Sequence, residues 1–282
     1  IICPKKHTAF ISRITTLLPL VITNNANIMV LSMNRWVGKV AIVTGASSGV
    51  GAAIVKHLLQ ENIIVVGLAR RKELVKEISP SKNLHALKVD LQVEEDIINA
   101  FQWVKDNLGP IHILINCAGI IRLSNYIHGD TKMWKDMMDV NYIALCITSR
   151  EAIKDMKANN VNGHIIHIND VGGYKVLGIK YLNVYCATKF SVTAAVEGLR
   201  LEFNEIGSKI KVSCINPGYV KTEIFKNSAL VQPDMVDFVN EFETCNESLE
   251  ACDIADAAVY LLSTPEHVQV REITVKPVGE TF

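Results

Sequence analysis

A phenol and an ammonium group stand four residues apart in Tyr185-Cys186-Ala187-Thr188-Lys189, inside a stretch whose pattern reads as a helix from Tyr185 to Ile206. That spacing puts both side chains on one helix face. A free phenol titrates at about pH 10, and a neighbouring cation favours the phenolate. Lys189 beside Tyr185 would therefore bring the phenol into use as a group that gives and takes a proton at a reacting oxygen. The pair is a common coincidence by itself and gains meaning only from the elements that carry it to a site.

Those elements alternate. Val40 to Thr44 reads as a buried strand, Gly45-Ala46-Ser47-Ser48-Gly49-Val50-Gly51 as a glycine turn, and Ala52 to Asn62 as a helix. Strands follow at Ile63 to Leu68, Leu84 to Val89 and Ile111 to Ile115, separated by helices at Lys72 to Ile78 and Glu94 to Asn107. A long helix is expected over Thr131 to Ala158, then a strand at Gly163 to Ile168, the helix bearing Tyr185, a strand at Lys209 to Ile215, a helix near Leu249 to Leu262 and a strand at Glu272 to Val275. Strand, helix, strand in repetition predicts a doubly wound α/β domain with a mostly parallel seven-stranded sheet flanked by helices. Between Tyr219 and Asn246 the pattern loosens, so 219–246 is either a substrate lid or an ordinary surface excursion.

A glycine turn between a first strand and a helix lets the backbone approach a pyrophosphate, whose charge meets free N–H groups at the helix start. At the end of the second strand, where an acidic residue would bind the 2′-hydroxyl of NAD, the chain reads Ala69-Arg70-Arg71. Two guanidinium groups there suit a 2′-phosphate and predict NADP(H). Asp90-Leu91 and Asn116-Cys117-Ala118-Gly119 end the third and fourth strands, at the carboxyl edge where ligands of such sheets collect.

Composition narrows the partners. The 282 residues are 49% hydrophobic, enough for a sizeable core, and 29 basic residues balance 29 acidic ones, so no basic surplus points to nucleic acid. Seven scattered cysteines without a C-x-x-C pair suit a reducing, cytoplasmic setting. His164 and His167, three apart on a strand, face opposite sides, so no metal is expected there. The apolar run from Ile14 to Ile22 is too short to span a bilayer. Residues 1–28 read as a disordered or non-native leader, or a targeting segment, ahead of a domain over 29–282.

The glycine turn, Asp90-Leu91, Asn116 to Gly119, Asn141, Tyr185 to Lys189 and Pro217-Gly218 together resemble the short-chain dehydrogenase/reductase family in order and spacing, from about Trp36 onward. Met33-Asn34-Arg35-Trp36, Gly163-His164-Ile165-Ile166, Asn183-Val184-Tyr185 and the stretch Leu262 to His267 extend the likeness. The resemblance implies a single Rossmann-type domain, a homodimer or homotetramer, and hydride transfer between a nicotinamide and an alcohol or carbonyl. The expected substrate is small and lipophilic, of terpenoid alcohol or ketosteroid type. Asp90 and Leu91 would contact the adenine; Asn116, Ala118 and Gly119 would line the ribose path; and Pro217, Gly218, Val220 and Thr222 would hold the nicotinamide end. Asn141 would interrupt its helix and hold a water linking Lys189, which also grips the ribose, to solvent.

One position departs from the family. In Ile168-Asn169-Asp170-Val171-Gly172-Gly173 an aspartate, Asp170, stands where the family places a serine hydroxyl. An ionised carboxylate about 4 Å from a nascent alkoxide opposes it by a few kcal/mol at an effective dielectric near 20, and raises the tyrosine pKa as well. A buried, protonated one can instead donate a hydrogen bond to an oxyanion, as the carboxylic acid kept neutral by its apolar site does in ketosteroid isomerase. In a third arrangement the carboxylate turns away onto a backbone amide. The chain is accordingly an alcohol–carbonyl oxidoreductase or a non-catalytic NADP(H)-binding protein; a methyltransferase on the same fold would leave Tyr185 and Lys189 without a task.

Overall fold

Strand β1 (Val40–Thr44) is buried at every residue, and its side chains alternate between the two faces of its sheet. Ala41 and Val43 meet one layer of helices, Val40 and Ile42 the other. In a computed structural model that describes residues 31–281, β1 is followed by α1 (Gly49–Gln60), β2 (Ile64–Ala69), α2 (Lys72–Lys76), β3 (Leu84–Lys88), α3 (Glu94–Leu108) and β4 (Ile111–Asn116). Then come α4 (Thr131–Met138), α5 (Ala144–Ala158), β5 (His164–Ile168), α6 (Asn183–Glu205), β6 (Lys211–Pro217), α7 (Ile224–Val231), α8 (Val236–Cys245), α9 (Ala251–Ser263) and β7 (Glu272–Val275). The expected leader at 1–28 lies outside the described residues.

The seven strands run in the order β3-β2-β1-β4-β5-β6-β7, and every neighbouring pair is parallel. The sheet is thus wholly rather than mostly parallel. Winding reverses between β1 and β4, which opens a crevice beyond their carboxyl ends. On one face α1 and α9 lay Ile54, Val55, Leu58, Ile254 and Leu261 against the sheet; on the other, Phe101, Val104, Met156, Val196 and Phe203 do so from α3, α5 and α6. Each such side chain contributes about 1.5–3 kcal/mol by leaving water. A third apolar cluster, with Ile121, Met137, Tyr219, Phe225 and Phe242, lies over the carboxyl edge.

Two elements differ from the sequence expectation, and the interruption that the resemblance implied at Asn141 is a third departure from the apolar pattern. The helix α1 begins at Gly49, inside the predicted turn, because Gly51 must pack against the carbonyl of Gly45 and only a residue without Cβ fits there. The long helix over 131–158 is broken by a π-helical turn, Asp139–Ile143, which holds Asn141. Apolar periodicity runs through the break and hides it. The loosened stretch 219–246 contains α7, α8 and a 3-10 turn at Pro233–Met235, tied down by Tyr219, Phe225 and Phe242 with ring centroids 4.9 to 6.0 Å apart.

Candidate active site

Beyond the carboxyl ends of the strands lies a cavity of about 530 Å3. Its walls include Gly45, Ser47, Ser48, Gly49, Val50, Gly51, Arg70, Arg71, Asp90, Leu91, Ala118, Gly119, Asp170, Tyr185, Lys189, Pro217, Gly218, Val220 and Thr222, so the sequence-predicted residues converge there. Asn116 and Asn141 are the exceptions. Asn116 turns inward: its Nδ2 donates to Ser149 Oγ at 3.1 Å and lies 3.2 Å from Nδ1 of His167, while its Oδ1 accepts from Thr148 Oγ1 at 2.7 Å. A side chain so held braces the end of β4 and does not line the ribose path, because a buried amide goes where partners satisfy it.

Asn141 is buried and acts as a clamp. Its Oδ1 accepts from the Ile120 amide at 2.8 Å, and its Nδ2 donates to the Ile120 carbonyl and to Thr188 Oγ1, both at 3.0 Å. The side chain joins the loop after β4 to α6; its polar atoms are taken by protein, so a water there would need the backbone carbonyls that the π turn rearranges.

The catalytic candidates meet where α6 crosses the end of β5. Asp170 follows β5 and caps a short 3-10 turn, its Oδ1 accepting from the Gly172 amide at 2.6 Å. Tyr185 donates from its hydroxyl to the other oxygen, Oδ2, at 3.0 Å. Lys189 is buried and donates to the carbonyls of Ile168 and Asn169, each at 3.2 Å, with its ammonium 5.7 Å from the Tyr185 ring centre. The Asp170 carboxyl thus divides its oxygens: one accepts from a backbone amide and the other faces the phenol.

Burial raises the Asp170 carboxyl above its ordinary range, against the pull of the Lys189 charge. Tyr185 is pushed well above its ordinary value by burial and then by the Asp170 charge, and burial lowers Lys189. The expected lowering of the phenol by Lys189 is opposed here by burial and by the Asp170 charge. The cation is directed at two carbonyls, whereas the carboxyl touches the phenol.

At the other end the cavity suits a dinucleotide. Gly45 has φ +67°, and a Cβ there would come within 2.8 Å of Ala118 Cα, so the turn needs glycine both for its backbone and for its closeness to β4. Ser48 caps α1 without a side-chain hydrogen bond, which leaves the first amides of the helix facing the cavity for an anion. Arg71 donates to Ser48 Oγ at 3.1 Å and lies 3.5 Å from Glu223, and exposed Arg70 stands next to it. His164 and His167 do face apart, His164 Nε2 lying 2.8 Å from Ser213 Oγ.

One wall residue and one residue that braces the wall from behind escaped sequence reasoning. Arg122, three positions past the Asn116 to Gly119 turn, lines the cavity. Glu280, near the far end of the chain, has a buried carboxylate that accepts from the Tyr219 amide at 2.7 Å, pairs with Lys276 at 2.9 Å, and fills the space a Gly218 side chain would need. Nothing in local pattern links residue 280 to residue 218. Part of the remaining wall is apolar, with Ile121, Leu177, Ile179, Leu182, Ile224 and Phe225, and Gln92, Asn169, Glu223 and Asn227 add polar groups to it.

Compared with known proteins, residues 39–232 match the family model described as short chain dehydrogenase. The chain belongs to the short-chain dehydrogenase/reductase family. It is 44% identical over 257 residues to farnesol dehydrogenase of Aedes aegypti, covering 89% of this chain and 100% of that one. It is 39% identical to dehydrogenase/reductase SDR family member 11 of Homo sapiens, covering 87% and 96%. Among solved structures, the closed form of serine dehydrogenase complexed with NADP+ superposes with a TM-score of 0.78 at 26% identity, over 86% of this chain and 96% of that one. The chain is thus a family oxidoreductase acting on alcohol or carbonyl groups.

Proposed function

We propose that this oxidoreductase uses NADP(H) and interconverts an alcohol and a carbonyl on a small lipophilic substrate, a terpenoid alcohol of the farnesol kind or a ketosteroid. The observation that carries the reading is one cavity with two unlike ends: paired arginines beside a glycine turn at one, and Tyr185 with Asp170 against an apolar wall at the other. Relatives named farnesol dehydrogenase and serine dehydrogenase complexed with NADP+ support it.

The glycine turn and the uncapped start of α1 would receive the pyrophosphate, Arg70 and Arg71 the 2′-phosphate, and Pro217, Gly218, Val220 and Thr222 the nicotinamide end. The hydride is supplied or accepted by that nicotinamide when bound. The protein's own part is the proton. Tyr185 stays protonated through the neutral range and delivers its proton to the substrate oxygen in reduction. Asp170 keeps Oδ1 on the Gly172 amide, so a proton on this carboxyl sits on Oδ2, facing the same oxygen, and donates as a serine hydroxyl would. The apolar wall favours the hydrocarbon part and excludes water.

The test is NADPH-linked reduction of farnesal and of ketosteroids across pH, comparing the native protein with Asp170→Ser. Native turnover that falls as pH rises, with a flatter profile in the variant, supports a protonated Asp170 donor. Turnover by the variant alone would make the native chain a cofactor-binding protein without catalysis, and faster turnover with NADH would overturn the cofactor assignment.

A further inference from the structure

Arg122 is a cavity cation supplied by neither the glycine turn nor the end of β2. It enters from the loop after β4, across the end of β1 from Arg70. Its Nε is buried with no hydrogen-bond partner, and its Nη1 donates only to the carbonyl of the adjoining Ile121, at 3.0 Å. Its acidic neighbour, Asp136 on α4, is already engaged by Lys132 at 2.9 Å and by Gln92 at 3.4 Å. The charge of Arg70 reaches Arg122 and, with burial, makes its protonated state harder to keep. On the same cavity, Arg71 donates to Ser48 Oγ at 3.1 Å and has a long, exposed pairing with Glu223 at 3.5 Å.

Three guanidinium groups around one rim repel each other, and a half-buried one with an unsatisfied N–H is costly to keep. A dianionic phosphate monoester between them would offset the repulsion, since a guanidinium fork matches phosphate oxygens. We propose that Arg122 is a third cation of the 2′-phosphate site and a determinant of the preference for NADP(H) over NAD(H). This rests on the NADP(H) reading of Arg70 and Arg71 and extends it to a residue outside the β2 end.

The experiment is calorimetric binding of 2′,5′-ADP and of AMP, which differ in the 2′-phosphate, to the native protein and to Arg122→Gln and Arg122→Lys. Native protein should bind 2′,5′-ADP the more tightly. Arg122→Gln should weaken 2′,5′-ADP by about tenfold and leave AMP unchanged, with Arg122→Lys in between. An unchanged ratio of the two ligands in Arg122→Gln, or an equal loss for both, overturns the role of Arg122 while leaving the NADP(H) reading intact. A native protein that does not distinguish the ligands overturns that reading and this inference with it. Arg122→Lys keeps the charge and the stem, so it decides the matter should Arg122→Gln fold poorly.

Discussion

Tyr185 and Asp170 share one hydrogen bond, 3.0 Å from phenol oxygen to Oδ2, where α6 crosses the end of β5. Both are buried, and burial disfavours charge on each. Each group therefore favours its protonated form more than it would in water.

That arrangement has a stability consequence with a definite sign. The folded-state pKa of Asp170 is raised above 3.8, so the native state holds its proton more tightly than the unfolded chain does. The stability it contributes is fully present below 3.8 and is lost as pH rises through the folded value. Asp170→Asn, which cannot ionise, should therefore melt higher than native at neutral pH, and that advantage should vanish in acid. Thermal unfolding at a series of pH values checks it; a constant difference across the series sinks the idea.

Removing the phenol isolates its chemistry. Tyr185→Phe should reduce turnover by about 10²–10⁴-fold, the usual span for a positioned proton donor. Affinity for NADPH, read by fluorescence titration, should stay near native. Equal losses in binding and turnover would assign Tyr185 to cofactor binding.

Gly218 and Glu280 form a pair that a double mutant can read. Adding a methyl group in Gly218→Ala displaces the Glu280 carboxylate and takes the acceptor from the Tyr219 amide. The cost should be about 1–3 kcal/mol in urea unfolding. Glu280→Ala breaks the same bond, so the double variant should be little worse than either single one. Additive losses would show the two residues to be independent.

Asn141→Ala removes all three clamp bonds between the loop after β4 and α6. Buried donors left without partners cost about 1–3 kcal/mol each, partly relieved by water, so a net loss of about 2–4 kcal/mol is expected in urea unfolding. A loss within a few tenths of a kcal/mol would mean that water fully replaces the amide.

Acid should act through His167. Burial lowers its pKa from 6.5 to about 3, so its contribution is present above 6.5 and is lost as pH falls toward the folded value. Between about pH 7 and 4 the native protein should lose on the order of 3 kcal/mol from this group alone. His167→Gln should flatten that decline, as measured by urea midpoints; an identical decline would place the acid sensitivity elsewhere.

The sheet was legible because each strand is short, apolar and bounded by turn residues, and because the glycine turn sits directly after β1. Tyr185, Lys189 and the arginines of β2 followed from position along that pattern. The break at Asn141 left no trace in the hydrophobic period, since a π turn shifts the helix face without changing residue types. Asp170 was visible as a departure, but its hydrogen bonds depend on where α6 crosses β5. The orientation of Asn116, which faces Thr148, Ser149 and His167, depends on α5 and β5, elements far along the chain. Arg122 reaches the cavity, and Glu280 reaches Gly218, from loops, where no periodicity marks direction.

Since every pairing in this sheet is parallel, no strand pairs with its neighbour through a hairpin, and Val40 must wait for Ile111. Loop-closure entropy thus weighs on the order in which the parts of the chain become useful. During synthesis β1, α1, β2 and β3 can assemble first. The crevice exists only once β4 docks beside β1, and the proton-transfer pair only after β5 and α6 emerge. A partly made chain would hold the glycine turn and Arg70-Arg71 in place well before Asp170 and Tyr185 could meet.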